Sequence, residues 1–282
     1  MEVSVLLLTL NEEVNLPRCL DALSWCDDIA IVDSGSTDGT LDIARSRNVR
    51  VLVNPFQDFA AQRNFGLAEA GFQHPWVLHL DADEMVTPTF VERLLALQPK
   101  DDIDAYYIPS KLMMLDQCIL HAGLYPSYQV RLGHLERLKF KQVGHGQRED
   151  MARSRVGTFD EPYLHYAFSN GLKAWLKRHV EYAEAEANVL VNARRDKSIR
   201  FRDLFSSDKV TRRRSAKLLA FLMPLAMRPF VRFVYVYILR RGFLDGRGGF
   251  LYAFMLATYE AMIAILAYEK IRTEAQSASR GV

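Results

Sequence analysis

The run Trp76-Val-Leu-His-Leu80, closed by Asp81-Ala-Asp83-Glu84, constrains this chain more than any other stretch. A strand with one face in water alternates apolar and polar residues, whereas this one is apolar at almost every position. That pattern predicts a strand buried on both faces of a parallel sheet. It ends in three acidic side chains, and in open α/β sheets ligands bind just beyond the carboxyl ends of the strands. Two carboxylates one residue apart at such an edge can hold a hard divalent cation, and the cation can hold a diphosphate. An Asp-x-Asp triplet alone is a frequent coincidence. A second one, Asp102-Ile-Asp104, falls in a charged, proline-bearing run that reads as solvated loop. The reading of Asp81 and Asp83 therefore depends on what surrounds them.

The surroundings are regular. Residues 3–8 form a β-rich run that leads into Thr9-Leu-Asn11-Glu12-Glu13. Asn15 before Leu16-Pro17 predicts an N-cap with proline in the first helical turn. Residues 28–32 predict a second buried strand, which runs into Asp33-Ser-Gly-Ser-Thr-Asp38-Gly-Thr40. That octet is small, polar and glycine-bearing, so a ligand can approach its backbone closely. A helix over 41–47, a strand over 49–53 and a helix over 59–70 with Gln62-Arg63-Asn64 precede the central strand; a helix over 89–97 follows it. This alternation predicts a parallel, doubly wound sheet with every polar segment on one edge.

From Tyr106 the rhythm changes to short strands over 105–109, 129–132 and 138–140. Residues 142–150 read as a polar loop ending in Glu149 and Asp150, and 163–166 as a strand containing His165. A helix capped by Ser169 carries Leu172, Trp175, Leu176, Val180, Ala183, Ala187, Leu190 and Val191 as one apolar stripe, expected to pack on the N-terminal domain.

Charge divides the chain. Residues 1–193 carry 18 Lys+Arg against 27 Asp+Glu, whereas residues 194–241 carry 14 against 3. The expectation is an acidic soluble domain, then a segment meant for an anionic membrane surface, with no nucleic-acid partner. Two apolar stretches, 218–239 and 250–268, flank a glycine-rich turn. The first is broken by Pro224, Arg228, Pro229 and Arg232, and the second holds Glu260, so neither is a clean span. Two helices lying in the membrane interface fit better, with arginines towards lipid phosphates. The alternative is a hairpin packed on the protein itself or on a second copy, which would make a homo-oligomer. Three cysteines in no metal-binding spacing, with an odd count, fit a reducing cytosolic compartment. The opening Met-Glu-Val-Ser shows no signal-peptide pattern.

Taken together, Asp33 can accept from a base N–H, Arg63 can pair with phosphate, and Asp83 can place a cation between phosphate oxygens. The set fits a nucleoside diphosphate. Thr9-Leu-Asn11-Glu12-Glu13, Val32-Asp33-Ser-Gly-Ser-Thr-Asp38-Gly-Thr, Gln62-Arg63-Asn64-Phe-Gly and Asp81-Ala-Asp83-Glu84 resemble, in order, the motifs of family 2 glycosyltransferases. The match covers residues 1–166. Arg241-Gly-Phe-Leu-Asp-Gly-Arg247 between apolar helices resembles the bacterial branch related to lipopolysaccharide inner-core β-1,4-glucosyltransferases.

The resemblance implies a GT-A fold, α/β with a mostly parallel sheet flanked by helices, and a C-terminal helical membrane-associating region. It divides the chain into a glycosyltransferase domain over 1–193, with a nucleotide-sugar half 1–100 and an acceptor half 101–193, then a basic linker 194–214 and an apolar helical region 215–282. Thr9, Asn11, Glu13, Asp33, Arg63 and Asp81 are expected at the nucleotide of a UDP-sugar. Asp83 is expected as the direct ligand of Mn²⁺ or Mg²⁺, with His165 at the metal or diphosphate. The implied reaction is an inverting hexosyl transfer to a glycolipid or lipopolysaccharide-core acceptor at the cytoplasmic face of the bacterial inner membrane, by a peripheral or monotopic protein.

An acceptor hydroxyl needs a carboxylate base. Glu149 and Asp150 fall where the family places one, with Glu149 the better match. A sugar nucleotidyltransferase would open with a glycine-rich basic loop, which acidic Thr9-Leu-Asn-Glu-Glu is not. A polyprenyl-phosphate glycosyltransferase and a non-catalytic nucleotide-binding membrane scaffold are the remaining alternatives.

Overall fold

The computed structural model describes residues 1–114, 116–143, 146–195 and 223–280. They fall into two compact units: Met1–Leu120 with Leu124–Ser169, and His121–Gly123 with Asn170–Val282. In the first unit β1 (Val3–Thr9), β2 (Ile29–Asp33), β3 (Arg50–Val53) and β4 (Trp76–Asp81) are parallel. The crossovers are α1 (Leu16–Ala22), α2 (Thr40–Ser46) and α3 (Phe59–Glu69). After β4 come β5 (Glu84–Met85) and α4 (Pro88–Ala96).

β1 explains why the first strands read as apolar throughout. Val5 and Leu7 enter a core with Leu16, Leu20, Phe90 and Leu94, contributed by α1 and α4. Leu6 enters a second core with Val32, Val77, Phe65 and Leu67, contributed in part by α3. A strand covered on both faces has no polar side to show, and each fully buried aliphatic side chain contributes about 1.5–3 kcal/mol.

The unit continues with β6 (Ala105–Met114), β7 (Gln117–Ile119) and β8 (Ser127–His134), with β8 antiparallel between β4 and β6. β9 (Phe140–Val143) and β10 (Gly146–Glu149) form a separate two-stranded hairpin. β11 (Val156–Thr158) and β12 (Tyr163–His165) both lie parallel to β6, and β12 also pairs antiparallel with β5. The sheet order is β3-β2-β1-β4-β8-β6-β12-β5, with β7 and β11 on β6. This is the α/β arrangement expected of a GT-A fold.

Two expectations of the first unit change. The segment expected as a polar loop over 142–150 is largely strand, because buried Phe140 anchors β9 and β10 pairs with it; Gly144 and His145 lie outside the described residues. Asp104 is buried rather than solvated, since Arg155 and Arg137 neutralise it. Gln62-Arg63-Asn64 lies within α3, in keeping with the helix expected over 59–70.

In the second unit α5 (Gly171–Arg195) packs on a C-terminal helix that follows α6 (Arg228–Phe233). α6 runs through a π-helical turn (Val234–Leu239) and a short 3-10 turn (Gly242–Asp245) into α7 (Gly246–Arg280). The stripe on α5 was expected to pack on the N-terminal domain. Its Ala183, Ala187, Leu190 and Val191 instead pack against Ile263 and Ala267 of α7, while Leu176 and Val180 are exposed. Glu260, which interrupts the second apolar stretch, is ion-paired with Arg228 at 2.6 Å. The basic segment expected over 194–214 lies outside the described residues from 196 onward.

One packing contact generates a test. Gly66 lies inside α3, where glycine costs about 1 kcal/mol relative to alanine. A Cβ there would come within 2.7 Å of the fully buried Leu6 side chain. Gly66→Val should therefore lower unfolding free energy by about 1–3 kcal/mol in denaturant titration, despite losing a helix-breaking residue.

Candidate active site

The register brings the polar segments together. Thr9 lies opposite Asp33 and Leu8 opposite Asp81, so β1, β2 and β4 end at one edge. The loops after β1 and β2 are laced by side chains. Asp33 is fully buried and accepts from Thr9 Oγ1 (2.7 Å), Gly35 N (2.9 Å), Ser36 N (2.7 Å) and Ser36 Oγ (2.6 Å). Four donors use the acceptor capacity of a carboxylate. In this arrangement Asp33 shapes the loop.

Asn11 and Glu13 stand on the exposed rim. Asn11 takes a left-handed conformation, which a short polar side chain tolerates. Its Oδ1 accepts from Thr37 N at 2.8 Å, and Glu13 Oε2 accepts from Gly39 N at 2.8 Å. Buried Gln62 on α3 supports the same loop through a 2.8 Å bond from its amide to Ser34 Oγ.

Beside these loops is a buried cluster of charges. Arg63, 1% exposed, donates from Nη2 to Asp81 Oδ1 at 2.7 Å. Arg131, 3% exposed, donates from Nη2 to Asp81 Oδ2 at 2.8 Å and also to Glu84 Oε1. Glu84 Oε2 accepts from the Asp81 backbone N–H at 3.0 Å. Burial opposes ionisation of Asp81, but the two guanidiniums outweigh it and hold this carboxyl far below the usual range. For Glu84 burial wins over Arg131 and pushes its carboxyl up to about 7.

Arg131 was not among the expected site residues. Its signal was present: Val130-Arg131-Leu132 puts one charge inside an apolar strand, and a buried charge needs partners. Arg63 Nε and Nη1 and Arg131 Nη1 are buried and have no hydrogen-bond partner among the described residues. Buried donors of this kind are costly unless an acceptor meets them. They fit an oxyanion.

The next carboxylate has a different setting. Asp83 is partly exposed, and its Oδ2 lies 3.5 Å from His165 Nε2. β12 brings the imidazole there, since His165 pairs with Glu84 and Tyr166 N donates to Asp83 O at 2.8 Å. Burial lowers the His165 pKa, but its hydrogen bond to Asp83 and the charges of Asp83, Glu84 and Asp81 push it up to about 9. With both Asp81 oxygens on arginines, Asp83 is the carboxylate left for a cation. Among the described residues no three His, Cys, Asp or Glu side chains form a cage. A carboxylate and an imidazole suit Mn²⁺, and one or two carboxylates completed by phosphate oxygens and water suit Mg²⁺.

Glu149 and Asp150 separate clearly. Glu149 is half-buried, lies opposite Phe140 in the hairpin, and accepts from Tyr107 Oη. Burial and this carboxylate push the Tyr107 phenol up to about 12. Phe140 is tied to α3 by Asn64, through bonds of 2.8 and 2.9 Å, and its ring lies under the Arg63 guanidinium. Glu149 is thus linked structurally to the helix that carries Arg63. Asp150 pairs with Lys141 at 2.8 Å on the surface.

Residues 4–111 match the model of glycosyl transferase family 2. The lipopolysaccharide core biosynthesis glycosyltransferase LpsC of Rhizobium meliloti is 35% identical over 107 residues, covering 36% of this chain and 39% of LpsC. The chain thus spans about two-fifths of that relative's length. An uncharacterized glycosyltransferase of Rickettsia bellii is 24% identical over 213 residues, 71% of each protein. Glucosyl-3-phosphoglycerate synthase from Mycobacterium tuberculosis, solved with phosphoglyceric acid, aligns with a TM-score of 0.43 at 19% identity, covering 58% of this chain and 72% of that one.

The charge cluster makes a direct prediction. Arg131→Met leaves Asp81 and Glu84 facing an uncharged side chain and should cost about 3–5 kcal/mol in chemical unfolding. Adding Glu84→Gln should recover part of that loss. Asp150→Ala, by contrast, should change stability by no more than about 1 kcal/mol.

Proposed function

We propose that this chain, with its family 2 glycosyltransferase match at residues 4–111, is a metal-dependent inverting hexosyltransferase. It takes its sugar from a UDP-linked donor and passes it to a hydroxyl of a lipid-linked or lipopolysaccharide-core acceptor, at the cytoplasmic face of a bacterial inner membrane. The observation that carries the reading is the split between the two aspartates. Asp81 is locked between Arg63 and Arg131, and Asp83 stands outside that lock beside His165.

Asp83 and His165 would hold Mn²⁺ or Mg²⁺, which when bound supplies Lewis-acid stabilisation of the diphosphate leaving group. The residues of the chain do the rest. Arg63 keeps fixed positive charge at the sheet edge, with N–H groups left over to meet negative charge that grows as the nucleotide departs. The laced loops with Thr9, Asn11, Glu13 and Asp33 give the nucleoside a rigid seat, so little ordering remains to be done on binding. Glu149 accepts the proton of the acceptor hydroxyl, and Tyr107 holds that carboxylate in one orientation. In-line attack opposite the diphosphate inverts the anomeric carbon.

Two variants test these roles. Asp83→Asn should abolish most UDP release from UDP-hexoses at limiting Mn²⁺ while leaving the melting temperature unchanged; normal turnover would remove the metal assignment. Glu149→Gln keeps the shape and loses the base, so transfer should fall by roughly 10²–10⁴-fold with donor affinity almost unchanged. If Asp150→Asn shows that loss instead, the base is its neighbour. If neither does, the base lies elsewhere.

A further inference from the structure

The second unit carries a surface that sugar transfer does not use. Eleven large apolar side chains between Met227 and Phe254 are exposed, against three between residues 255 and 271. Phe230 and Leu239 are 68% and 69% exposed, and Phe243, Leu244, Phe250 and Phe254 lie around the turn into α7. A concentration of this kind marks a docking surface.

Its charge is one-sided. Besides Arg228, which is paired with Glu260, residues 227–254 hold Arg232, Arg240, Arg241 and Arg247 but a single acid, Asp245. That acid is committed, since Asp245 Oδ2 accepts from the backbone of His121 and Ala122 (2.9 and 2.8 Å) and Oδ1 lies 2.8 Å from His121 Nδ1. Two copies meeting through this face would oppose arginine to arginine. Aromatic and aliphatic tips in a segment this rich in arginine match lipid chains beneath anionic headgroups.

By length and composition, Gly242–Glu274 could cross a membrane. Its neighbours argue otherwise. Glu260, midway along, is paired with Arg228. Around and beyond it, Tyr259, Met262, Ile263, Leu266 and Ala267 are covered by α5. α5 brings Glu181, Glu184 and Glu186 with it, and Lys270 of α7 bonds to Asn188 at 2.5 Å. A spanning α7 would drag these charges into hydrocarbon. From Gly246 to Glu260 the helix rises about 21 Å, enough to enter one leaflet and short of the ~30 Å hydrocarbon core.

We propose that residues 227–254 form a monotopic wedge that sinks into one leaflet of an anionic bilayer, and that α7 does not cross it. The inference rests on the membrane reading above and says how that membrane is met.

One tryptophan added at a time beside the three native ones tests it in the full-length protein, each variant read against the unsubstituted protein. Phe243→Trp and Ile265→Trp would each be mixed with phosphatidylcholine/phosphatidylglycerol vesicles carrying bromine on the acyl chains. The wedge predicts added quenching at position 243 and none at 265, which is also exposed. Arg241→Glu and Arg247→Glu should each weaken vesicle binding about fivefold or more. Equal quenching at both positions would mean a span. Quenching at neither, with dimers in analytical ultracentrifugation, would mean that a second copy covers the face. UDP release in detergent, measured on the same samples, keeps the ideas apart: it persists if only the wedge is wrong and is missing if the sugar-transfer reading is.

Discussion

The Asp81 carboxylate, shared between two buried guanidiniums, is the interaction on which the candidate site depends. It joins three parts of the first unit, because Arg63 comes from α3, Arg131 from β8 and the third charged partner, Glu84, from β5. None of these charges is tolerable alone in the interior, since breaking such a group strands a charge without solvent. The cluster therefore fixes how the end of β4 leaves the sheet. It also decides which aspartate is left for chemistry. Had Asp81 faced outward, both carboxylates of the motif would compete for a cation, whereas in the proposed reading Asp81 organises and Asp83 receives it.

The loops at the neighbouring strand ends follow the same logic with uncharged donors. Asp33 is satisfied by two hydroxyls and two backbone N–H groups, Asn11 by Thr37, and Glu13 by Gly39. Each bond contributes only about 0.5–1.5 kcal/mol net. Their joint effect is to remove freedom from a segment that would otherwise have to be ordered by a ligand. A rigid polar rim over a buried charge cluster is suited to recognising a group with fixed phosphate geometry.

Much of the sheet was legible because burial on both faces leaves a plain trace: β1, β2 and β4 are apolar runs, and the motifs follow them at turn-like spacing. Local pattern was less informative where partners are distant in sequence. Nothing near Val130-Arg131-Leu132 announces that the charge belongs to Asp81, fifty residues earlier. The bonding of Asp33 to its own loop was equally hidden, because a motif names residue types and not the direction of their lone pairs. The later part of the α5 stripe, from Ala183 to Val191, is a buried face, while Leu176 and Val180 are exposed; periodicity cannot say which surface covers it, and α7 does so. Asp104 looked solvated because its neighbours are charged, while the arginines that neutralise it come from turns later in the chain.

The central claim is that this sheet edge binds a nucleoside diphosphate through a cation at Asp83 and the guanidinium of Arg63. Calorimetric titration of the full-length protein with UDP and with uridine, each with Mn²⁺ and with EDTA, tests it most directly. Mn²⁺ should tighten UDP binding markedly, while uridine binds weakly and without regard to metal. UDP affinity unchanged by EDTA, or a metal effect on uridine as large as on UDP, would contradict it.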